Sequence, residues 1–321
     1  MPGDNAWLQA AATLAARGRP VSTPNPAVGA VLVAQDRVFG RGYTRAGGRP
    51  HAEAEALAMA GPAAPGATLY VTLEPCAHAS ARGSACADLI VAARPARVVI
   101  GCIDPDPRTA GAGIARLRAA GIVVDVIEHA GARASLAGYL LRTQQARPHV
   151  TLKLATSLDG RIALASGDSR WITGPAARAH VHACRAQADA ILVGGGTLRA
   201  DAPRLDVRLP GLAERSPQRW VLTRGAAPAG WTAVSDIGAP GAFGTAQYLY
   251  VEGGAGAAAV FLAADMVDRL MWYRAPIVIG AGLAAVGDIG LDRLADAHGR
   301  WGHGGQCNLG SDTIDIYERL R

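Results

Sequence analysis

The chain has 321 residues, which is enough for two domains of ordinary size, and half of them are hydrophobic, which is enough for a core in each. The formal net charge of +6 comes from scattered arginines without a basic run, which excludes a nucleic-acid-binding arm; an anionic small molecule explains this charge as well as RNA does. Five cysteines, with no leader and no apolar run of membrane-spanning length, predict a cytoplasmic protein without disulfides.

The first half alternates strands and helices, which predicts a three-layer α/β/α domain around a sheet of parallel type. Asp4 is expected to cap the first helix. The predicted helices span 5–17, 51–60, 113–120 and 133–144, and the predicted strands span 27–34, 38–43, 68–73, 97–102 and 123–127.

Four residues of this half have the side chains that a zinc-dependent base deaminase requires. Such an enzyme holds zinc with one imidazole and two thiolates, leaves the fourth position to a water, and moves protons with a carboxylate that is not a ligand. His51, Cys76 and Cys86 supply the ligand types, and Glu53 supplies the carboxylate. Each pattern is weak alone, but their order, with strands between them, favours a deaminase over a surface His and Glu with two inert thiols.

The loop between the two cysteines is unusual. Nine residues separate Cys76 from Cys86 where two are usual, so the loop must fold back for both sulfurs to reach one metal. His78 is therefore a second-choice third ligand, although a substrate contact suits it better. Asn25, held between two prolines, suits recognition of a base edge or simply a turn, and Arg82 is either a phosphate contact or a solvated side chain.

A break at 145–148 marks the predicted domain boundary, with one domain over 1–146 and a second α/β domain over 147–321. In the second domain the predicted strands span 149–155, 188–193, 220–223, 247–251, 270–273 and 313–317, and the predicted helices span 175–186 and a segment that ends at 264.

Two glycine-rich turns, at 194–197 and 252–256, each follow a strand and open a helix. Their backbone amides can approach a phosphate, and two such turns fit a dinucleotide better than one does; tight packing is the alternative. Lys153 is the only lysine in the chain, which indicates a position where a guanidinium does not fit, or chance. His180 and His182 point to different faces of a helix and are expected to be structural.

With these residues the chain resembles, over essentially its whole length, the bifunctional deaminase–reductase family of riboflavin biosynthesis. In the N-terminal half the resemblance rests on P-N-P-A-V-G-A-V (24–31), H-A-E (51–53), T-L-E-P-C-A-H (72–78), Cys86, D-P-D-P (104–107) and A-G-A-G (110–113). In the C-terminal half it rests on L-K-L-A-T-S-L-D-G-R-I-A (152–163), S-R-W-I-T (169–173), D-A-I-L-V-G-G-G-T (189–197), D-A-P-R-L-D-V-R (201–208) and V-E-G-G (251–254).

The resemblance implies a cytidine-deaminase-like α/β/α domain followed by a dihydrofolate-reductase-like α/β domain. The first would remove an amino group from a diaminopyrimidinone ribosylamine phosphate at zinc, and the second would reduce the ribosyl group to ribityl with NADPH. The expected cofactor contacts are Ala155, Trp171, Thr197, Asp201, Gly254, Ala255 and Gly256. The expected substrate contacts are Asn25, His78, Arg82, Lys153, Ser169, Arg185, Leu205, Arg208 and Glu252, with Arg185 and Arg208 able to grip a phosphate bidentately.

The chain departs from the family pattern at its longer cysteine loop, at Thr44, at Ala202 and at Thr223-Arg224. Two other functions stay open: a nucleoside or tRNA-base deaminase with an accessory nucleotide-binding domain, and a zinc-stabilised binding module with a vestigial second half. A basic stripe or interleaved aromatic residues would favour the former, and the sequence has neither. The expected partners are a phosphorylated pyrimidine and further copies of the chain joined through the reductase domain, with no nucleic acid and no membrane.

Overall fold

A computed structural model describes residues 2–78 and 82–321 of the chain. The chain divides into two compact units, Met1–Arg147 and Pro148–Arg321, and the boundary predicted from the sequence lies one residue earlier. Each unit has its own sheet and its own buried cores.

The first unit is built on a five-stranded sheet with strand order β2-β1-β3-β4-β5. Its strands are β1 (Gly29–Ala34), β2 (Arg37–Tyr43), β3 (Thr68–Val71), β4 (Arg97–Ile100) and β5 (Val123–Val126). Its helices are α1 (Asp4–Ala15), α2 (Ala52–Ala60), α3 (Cys86–Ala93), α4 (Ala112–Ala119), α5 (Ala130–Ser135) and α6 (Ala137–Gln145).

The sheet of the first unit is mixed, so the expectation of a parallel-type sheet holds only for part of it. β3, β4 and β5 are parallel, whereas β1 is antiparallel to both of its neighbours. The β1–β2 pairing has a local cause: the two strands form a hairpin whose two turn residues, Gln35 and Asp36, both have positive φ, as a tight hairpin turn requires. The expected strand after 34 therefore returns beside β1.

Helices cover both faces of this sheet, as the three-layer expectation requires. Alternate residues of β1 face opposite layers: Val31 packs with Leu8 of α1, and Leu32 packs with Ala56 of α2. The expected helix cap is wrong, however. Gly3 is the cap residue, and the Asp4 carboxylate binds the Arg97 guanidinium at 2.8 and 2.9 Å instead.

The second unit is built on an eight-stranded sheet with strand order β10-β9-β8-β11-β6-β12-β15-β14 and a small β13-β7 pair. Its strands are β6 (His149–Thr156), β7 (Arg161–Ala163), β8 (Ala190–Gly194), β9 (Gln218–Leu222), β10 (Thr232–Val234), β11 (Tyr248–Val251), β12 (Arg269–Arg274), β13 (Leu283–Ala284), β14 (Trp301–Leu309) and β15 (Asp312–Arg319). Its helices are α7 (Pro175–Arg185), α8 (Gly195–Asp201) and α9 (Ala255–Ala263).

From β10 to β12 this sheet is parallel, and an antiparallel β14–β15 hairpin extends it. One face packs against α9 through Phe261, and the other packs against α7 through Val181. The carboxyl ends of the parallel strands therefore meet at one edge, where α/β sheets place ligands.

Within the described part of the chain, each helix is too short or too polar to cross a membrane.

Candidate active sites

Three elements of the first unit bring one imidazole and two thiols together. His51 immediately precedes α2, Cys76 follows β3, and Cys86 is the first residue of α3. The His51 Nδ1 atom lies 3.2 Å from the Cys86 Sγ and 3.7 Å from the Cys76 Sγ, and the three ligand atoms all lie within 4.8 Å of one another. The two sulfurs therefore lie close together although nine residues separate the cysteines along the chain.

This donor set fits zinc. A tetrahedral zinc ion with Zn–S of about 2.3 Å and Zn–N of about 2.0 Å holds its ligand atoms roughly 3.5 Å apart. Among the residues described, the cluster comprises His51, Cys76 and Cys86. The alternative ligand, His78, instead places its Nδ1 atom 3.4 Å from the Thr109 Oγ1. Three protein ligands leave a fourth position open, which is the pattern of a catalytic rather than a structural zinc site.

The two thiols interact with each other directly. The backbone N–H of Cys86, at the start of α3, donates to the Cys76 Sγ at 3.3 Å. Hydrogen bonds from Cys86 lower the pKa of the Cys76 thiol to about 4 although burial opposes the shift, and the contact with Cys76 raises the pKa of Cys86. A cation between the sulfurs would favour thiolate at both.

Glu53 lies in the first turn of α2, where it is 3% exposed. Burial raises the pKa of its carboxyl group, with the His51 charge opposing the shift. The helix can lie directly on β2 because Gly40 and Gly42 have no side chains: a Cβ on Gly42 would fall 2.3 Å from the Ala52 carbonyl oxygen. The carboxylate is thus held, shielded from water, two residues from the imidazole.

The other expected contacts of this unit border the segment that leads into His51. The Asn25 Nδ2 lies 3.4 Å from the His51 Nε2 and donates to the Gly48 carbonyl at 3.2 Å. Arg82 donates to the Gly47 carbonyl at 2.6 Å. Residues 79–81 of the cysteine loop lie outside the described part of the chain.

In the second unit, the two glycine-rich turns lie side by side because β8 and β11 are neighbours. The Gly254 N–H, at the start of α9, donates to the Thr197 Oγ1 of α8 at 3.2 Å. Gly253 is required there, since a Cβ would fall 2.4 Å from the Ala257 Cβ. Two helix N-termini therefore open at the same sheet edge, which is an arrangement suited to phosphate groups. These residues fit the phosphate portion of a dinucleotide.

The loop of Ser169 and Trp171 is tied to the end of α8. The Arg170 guanidinium donates to the Asp201 carbonyl at 3.0 Å, which brings Trp171 toward the Asp201 end of that helix. Trp171 is 66% exposed, and the Arg178 guanidinium lies 4.9 Å from its ring centroid. Ala155 contributes to the core under α7. An exposed indole held by an arginine leaves one face for a planar ligand.

Lys153, Arg185 and Glu252 form a charged cluster under α7. The Arg185 guanidinium binds both oxygens of the Glu252 carboxylate, at 2.6 and 2.9 Å, and donates to the Asp206 carbonyl at 2.9 Å. Burial lowers the pKa of Lys153, with the Glu252 charge opposing it. Burial would raise the pKa of Glu252, but Arg185 and Lys153 hold it below its usual value.

Glu252 occupies one face of the Arg185 guanidinium, and the bidentate phosphate grip expected of Arg185 stays a prediction. Arg208 remains half-exposed, with its Nε atom 3.4 Å from the Asp206 carboxylate. Leu205 is buried at a positive φ of 54°, a strained conformation for a bulky residue that fixes the loop 201–208 against the core.

The two histidines of α7 point to different partners, as their spacing predicts. The His180 Nδ1 lies 2.7 Å from the Tyr273 hydroxyl, and the His182 Nδ1 lies 3.0 Å from the Asp206 carbonyl oxygen. The sequence assigned no role to Glu74 or Thr109. Glu74 lies in the loop that carries Cys76 and accepts a hydrogen bond from the Gly113 N–H, and the Thr109 Oγ1 lies 3.4 Å from the His78 Nδ1.

Both units match known protein families. Residues 1–102 match the cytidine and deoxycytidylate deaminase zinc-binding region, and residues 148–235 and 244–304 match the RibD C-terminal domain. Among solved structures, RibD from Acinetobacter baumannii superposes with a TM-score of 0.88 at 34% identity, covering 99% of both chains. The Thermotoga maritima diaminohydroxyphosphoribosylaminopyrimidine deaminase/5-amino-6-(5-phosphoribosylamino)uracil reductase superposes with a TM-score of 0.86 at 28% identity, again over 99% of both.

Similar sequences point to the same family as the solved structures do. The riboflavin biosynthesis protein RibD of Aquifex aeolicus is 34% identical over 98% of both chains. RibD of Mycobacterium tuberculosis strain H37Rv is 38% identical over 91% of this chain and 90% of its own. The match to Escherichia coli RibD is 47% identical but spans 66% of this chain and 58% of that protein.

The fold, the metal cluster and the family matches together define the class of protein. It is a two-unit enzyme of riboflavin biosynthesis, with a zinc-binding deaminase domain followed by a reductase domain. The expected fold class and function are confirmed, and the alternative of a nucleoside or tRNA-base deaminase is not supported. More narrowly, the chain belongs to the family of the riboflavin biosynthesis protein RibD.

Proposed function

We propose that the chain catalyses two consecutive reactions on one phosphorylated pyrimidine. The first replaces the amino group of a diaminopyrimidinone ribosylamine phosphate by a carbonyl oxygen, and the second reduces the ribosyl group to ribityl at the expense of NADPH. The observation that carries the proposal is the His51–Cys76–Cys86 cluster beside the buried Glu53, on the same chain as a RibD-type reductase unit.

In the first unit, His51, Cys76 and Cys86 would hold zinc, which when bound activates a water for attack on the ring carbon. Glu53 takes the proton from that water and delivers it to the departing amino nitrogen, which leaves as ammonia. Its raised pKa supports this role, because a carboxyl group that is neither strongly acidic nor solvated can both accept and return a proton. We assign Asn25, which lies 3.4 Å from the His51 ring, together with His78 and Arg82, to pyrimidine and phosphate recognition.

In the second unit, NADPH when bound supplies a hydride to the sugar carbon. We assign its contacts to Ala155, Trp171, Thr197, Asp201 and the turn 254–256. The Thr197–Gly254 hydrogen bond supports this set, because it holds two phosphate-facing helix starts in one place. Hydride transfer mainly requires placement of the two partners.

The sugar oxygen needs a proton as the carbon receives hydride, and we assign Lys153 as its donor. Burial lowers the pKa of the ammonium group, which makes it a better acid than a solvated lysine. Glu252 and Arg185 orient it, and Ser169, Leu205 and Arg208 complete the substrate contacts, with Arg208 taking the phosphate.

We further propose that copies of the chain associate through the reductase unit and work in the cytoplasm. Edge strand β14 supports the former, because the edge of a sheet presents unpaired backbone groups to a second chain. The five free thiols support the latter. Nucleic acid is not among the proposed partners.

The direct test supplies the purified chain with the diaminopyrimidinone ribosylamine phosphate and follows ammonia and NADPH separately. Ammonia should appear with or without NADPH, and NADPH should then be oxidised in a one-to-one ratio to the ammonia released. NADPH oxidation without prior ammonia release would reverse the proposed order, and no ammonia at all would refute the deaminase assignment.

A further inference from the structure

Glu74 is a buried carboxylate with an unusual set of partners. It lies between β3 and Cys76 and is 2% exposed. Its Oε1 accepts hydrogen bonds from the backbone N–H groups of Gly113 at 3.0 Å and Ile114 at 3.2 Å. Its Oε2 accepts from Gly111 at 3.0 Å and Asp104 at 3.4 Å. All four donors are backbone amides, and three of them belong to the start of α4.

The start of α4 therefore docks on the backbone that leads into the metal cluster. The first N–H groups of a helix have no partner within it and carry partial positive charge, so a carboxylate is their natural acceptor. The approach is close: a Cβ on Gly113 would fall 2.1 Å from the Pro75 carbonyl oxygen. Only glycine permits this contact, which fixes the peptide between Pro75 and Cys76.

The same segment also reaches the far side of Cys76. Thr109 is buried, and its Oγ1 lies 3.4 Å from the His78 Nδ1. Asp104 accepts from the Tyr139 hydroxyl at 2.7 Å, which anchors the segment to α6. Residues 104–114, here called the buttress, thus contact the chain on both sides of Cys76.

We propose that Glu74 is a positioning residue for Cys76, which holds the thiolate in place through the buttress; the proposal rests on the metal-dependent deaminase function above. A glutamate is required because each of its two oxygens faces backbone donors. A glutamine would turn its own N–H₂ group against at least one N–H, whichever way the amide is oriented.

The test is the Glu74→Gln variant of the full chain, whose zinc affinity is measured by competition with a chromogenic chelator. We expect the affinity to fall by about 10- to 100-fold, the range seen when residues behind metal ligands are changed. Loaded with Co²⁺, the variant should show shifted visible and thiolate-to-cobalt absorption bands. A merely structural role would not move these bands in folded, loaded protein. Reduction of the deaminated substrate by NADPH should be unchanged.

The matched control is Asp4→Asn, which weakens the carboxylate contact to Arg97 in the same unit. Arg97 is the first residue of β4, whereas Glu74 lies near the other end of that strand. Asp4→Asn should lower stability yet leave zinc affinity and the Co²⁺ spectrum at wild-type values. If Glu74→Gln does not fold, Glu74→Asp retracts the carboxylate by one methylene and should still weaken zinc binding. Wild-type zinc affinity and spectrum in the folded variant would overturn the role of Glu74. Failure of the wild type itself to bind metal would instead refute the proposed deaminase.

Discussion

In the proposed deamination, proton transfer depends on a single carboxylate, Glu53, which follows His51 by two residues and is not one of the three clustered ligands. We expect Glu53→Gln to retain stoichiometric zinc while deamination falls by at least about 100-fold, because general acid–base groups contribute about that much or more. Metal analysis together with ammonia release checks both halves of this expectation. Loss of zinc from the variant would show that Glu53 is a ligand, and retained deamination would show that it carries no proton.

Glu252 has a different role, because it neutralises a buried arginine. Removing one member of a buried ion pair typically costs about 3 kcal/mol, so Glu252→Gln should lower the free energy of unfolding of the second unit by about that amount. The half-exposed pair Arg269–Glu318 supplies the matched control: Glu318→Gln should cost less than about 1 kcal/mol. Urea unfolding measures the loss of free energy in both variants. An equal loss in Glu252→Gln and Glu318→Gln would contradict the role of Glu252 as the partner of a buried arginine.

The pH dependence of this effect has a definite sign. The folded-state pKa of Glu252 is lowered, so its stabilising contribution is complete above the unfolded pKa and is lost as the pH falls through the folded value. The difference between wild type and Glu252→Gln should therefore shrink in acid. A difference that grows as the pH falls would be inconsistent with the ion pair.

Individual site residues could be predicted from the sequence where the chemistry restricts the residue type. The zinc donor set could be listed from His51, Cys76 and Cys86, because few side chains bind that metal. The partner of Arg185 could not be foreseen, since Glu252 lies 67 residues away along the chain. Glu74 was overlooked because its partners are backbone amides, which every residue has and no motif reveals.

Among the elements, the placement of α2 on β2 matters most for the metal site. The abundance of small residues predicts close packing, but only the structure shows which glycine meets which helix. At Gly40 a Cβ would fall 2.0 Å from the Ala56 carbonyl oxygen. Since backbone cannot yield as a side chain can, Gly40→Ala should displace α2 and cost about 1–3 kcal/mol.

This substitution should also weaken zinc binding, because His51 precedes the displaced helix. Unfolding by urea and chelator competition measure the two effects. Gly3→Ala, where a Cβ meets nothing within 4 Å, is the matched control: it replaces the cap residue of α1, so it should cost less than about 1 kcal/mol and leave zinc affinity unchanged. Unchanged zinc affinity in Gly40→Ala would show that the helix position does not govern the metal site.

The sequence did not predict α3, β7, β10, β13 or β14, and for α3 and β14 the physical reason is clear. Helix α3 has only eight residues, begins at a cysteine without a capping side chain, and ends at Arg94 with positive φ rather than at a glycine. Strand β14 contains three glycines between Trp301 and Leu309 and lies at the sheet edge, so it shows no alternation of apolar residues. Elements with buried apolar patterns, such as β6 and β11, were located to within about two residues, the usual boundary error.

For the whole molecule, two units with separate cores imply that the two activities can be lost separately. Removing zinc with a strong chelator should abolish deamination and leave most of the reduction of the deaminated substrate intact, because an open catalytic site does not hold its domain together as a structural site does. Activity assays and circular dichroism before and after chelation measure this. Unfolding of the first unit on chelation would instead favour a structural metal.

We expect one metal ion to lie between an imidazole and two sulfurs in the first unit. The most direct measurement is anomalous diffraction at the zinc absorption edge, from crystals of protein purified without chelator. We predict one strong peak per chain, within bonding distance of the His51 Nδ1 and of the sulfurs of Cys76 and Cys86. Absence of that peak, or a peak bound by other residues, would contradict the account.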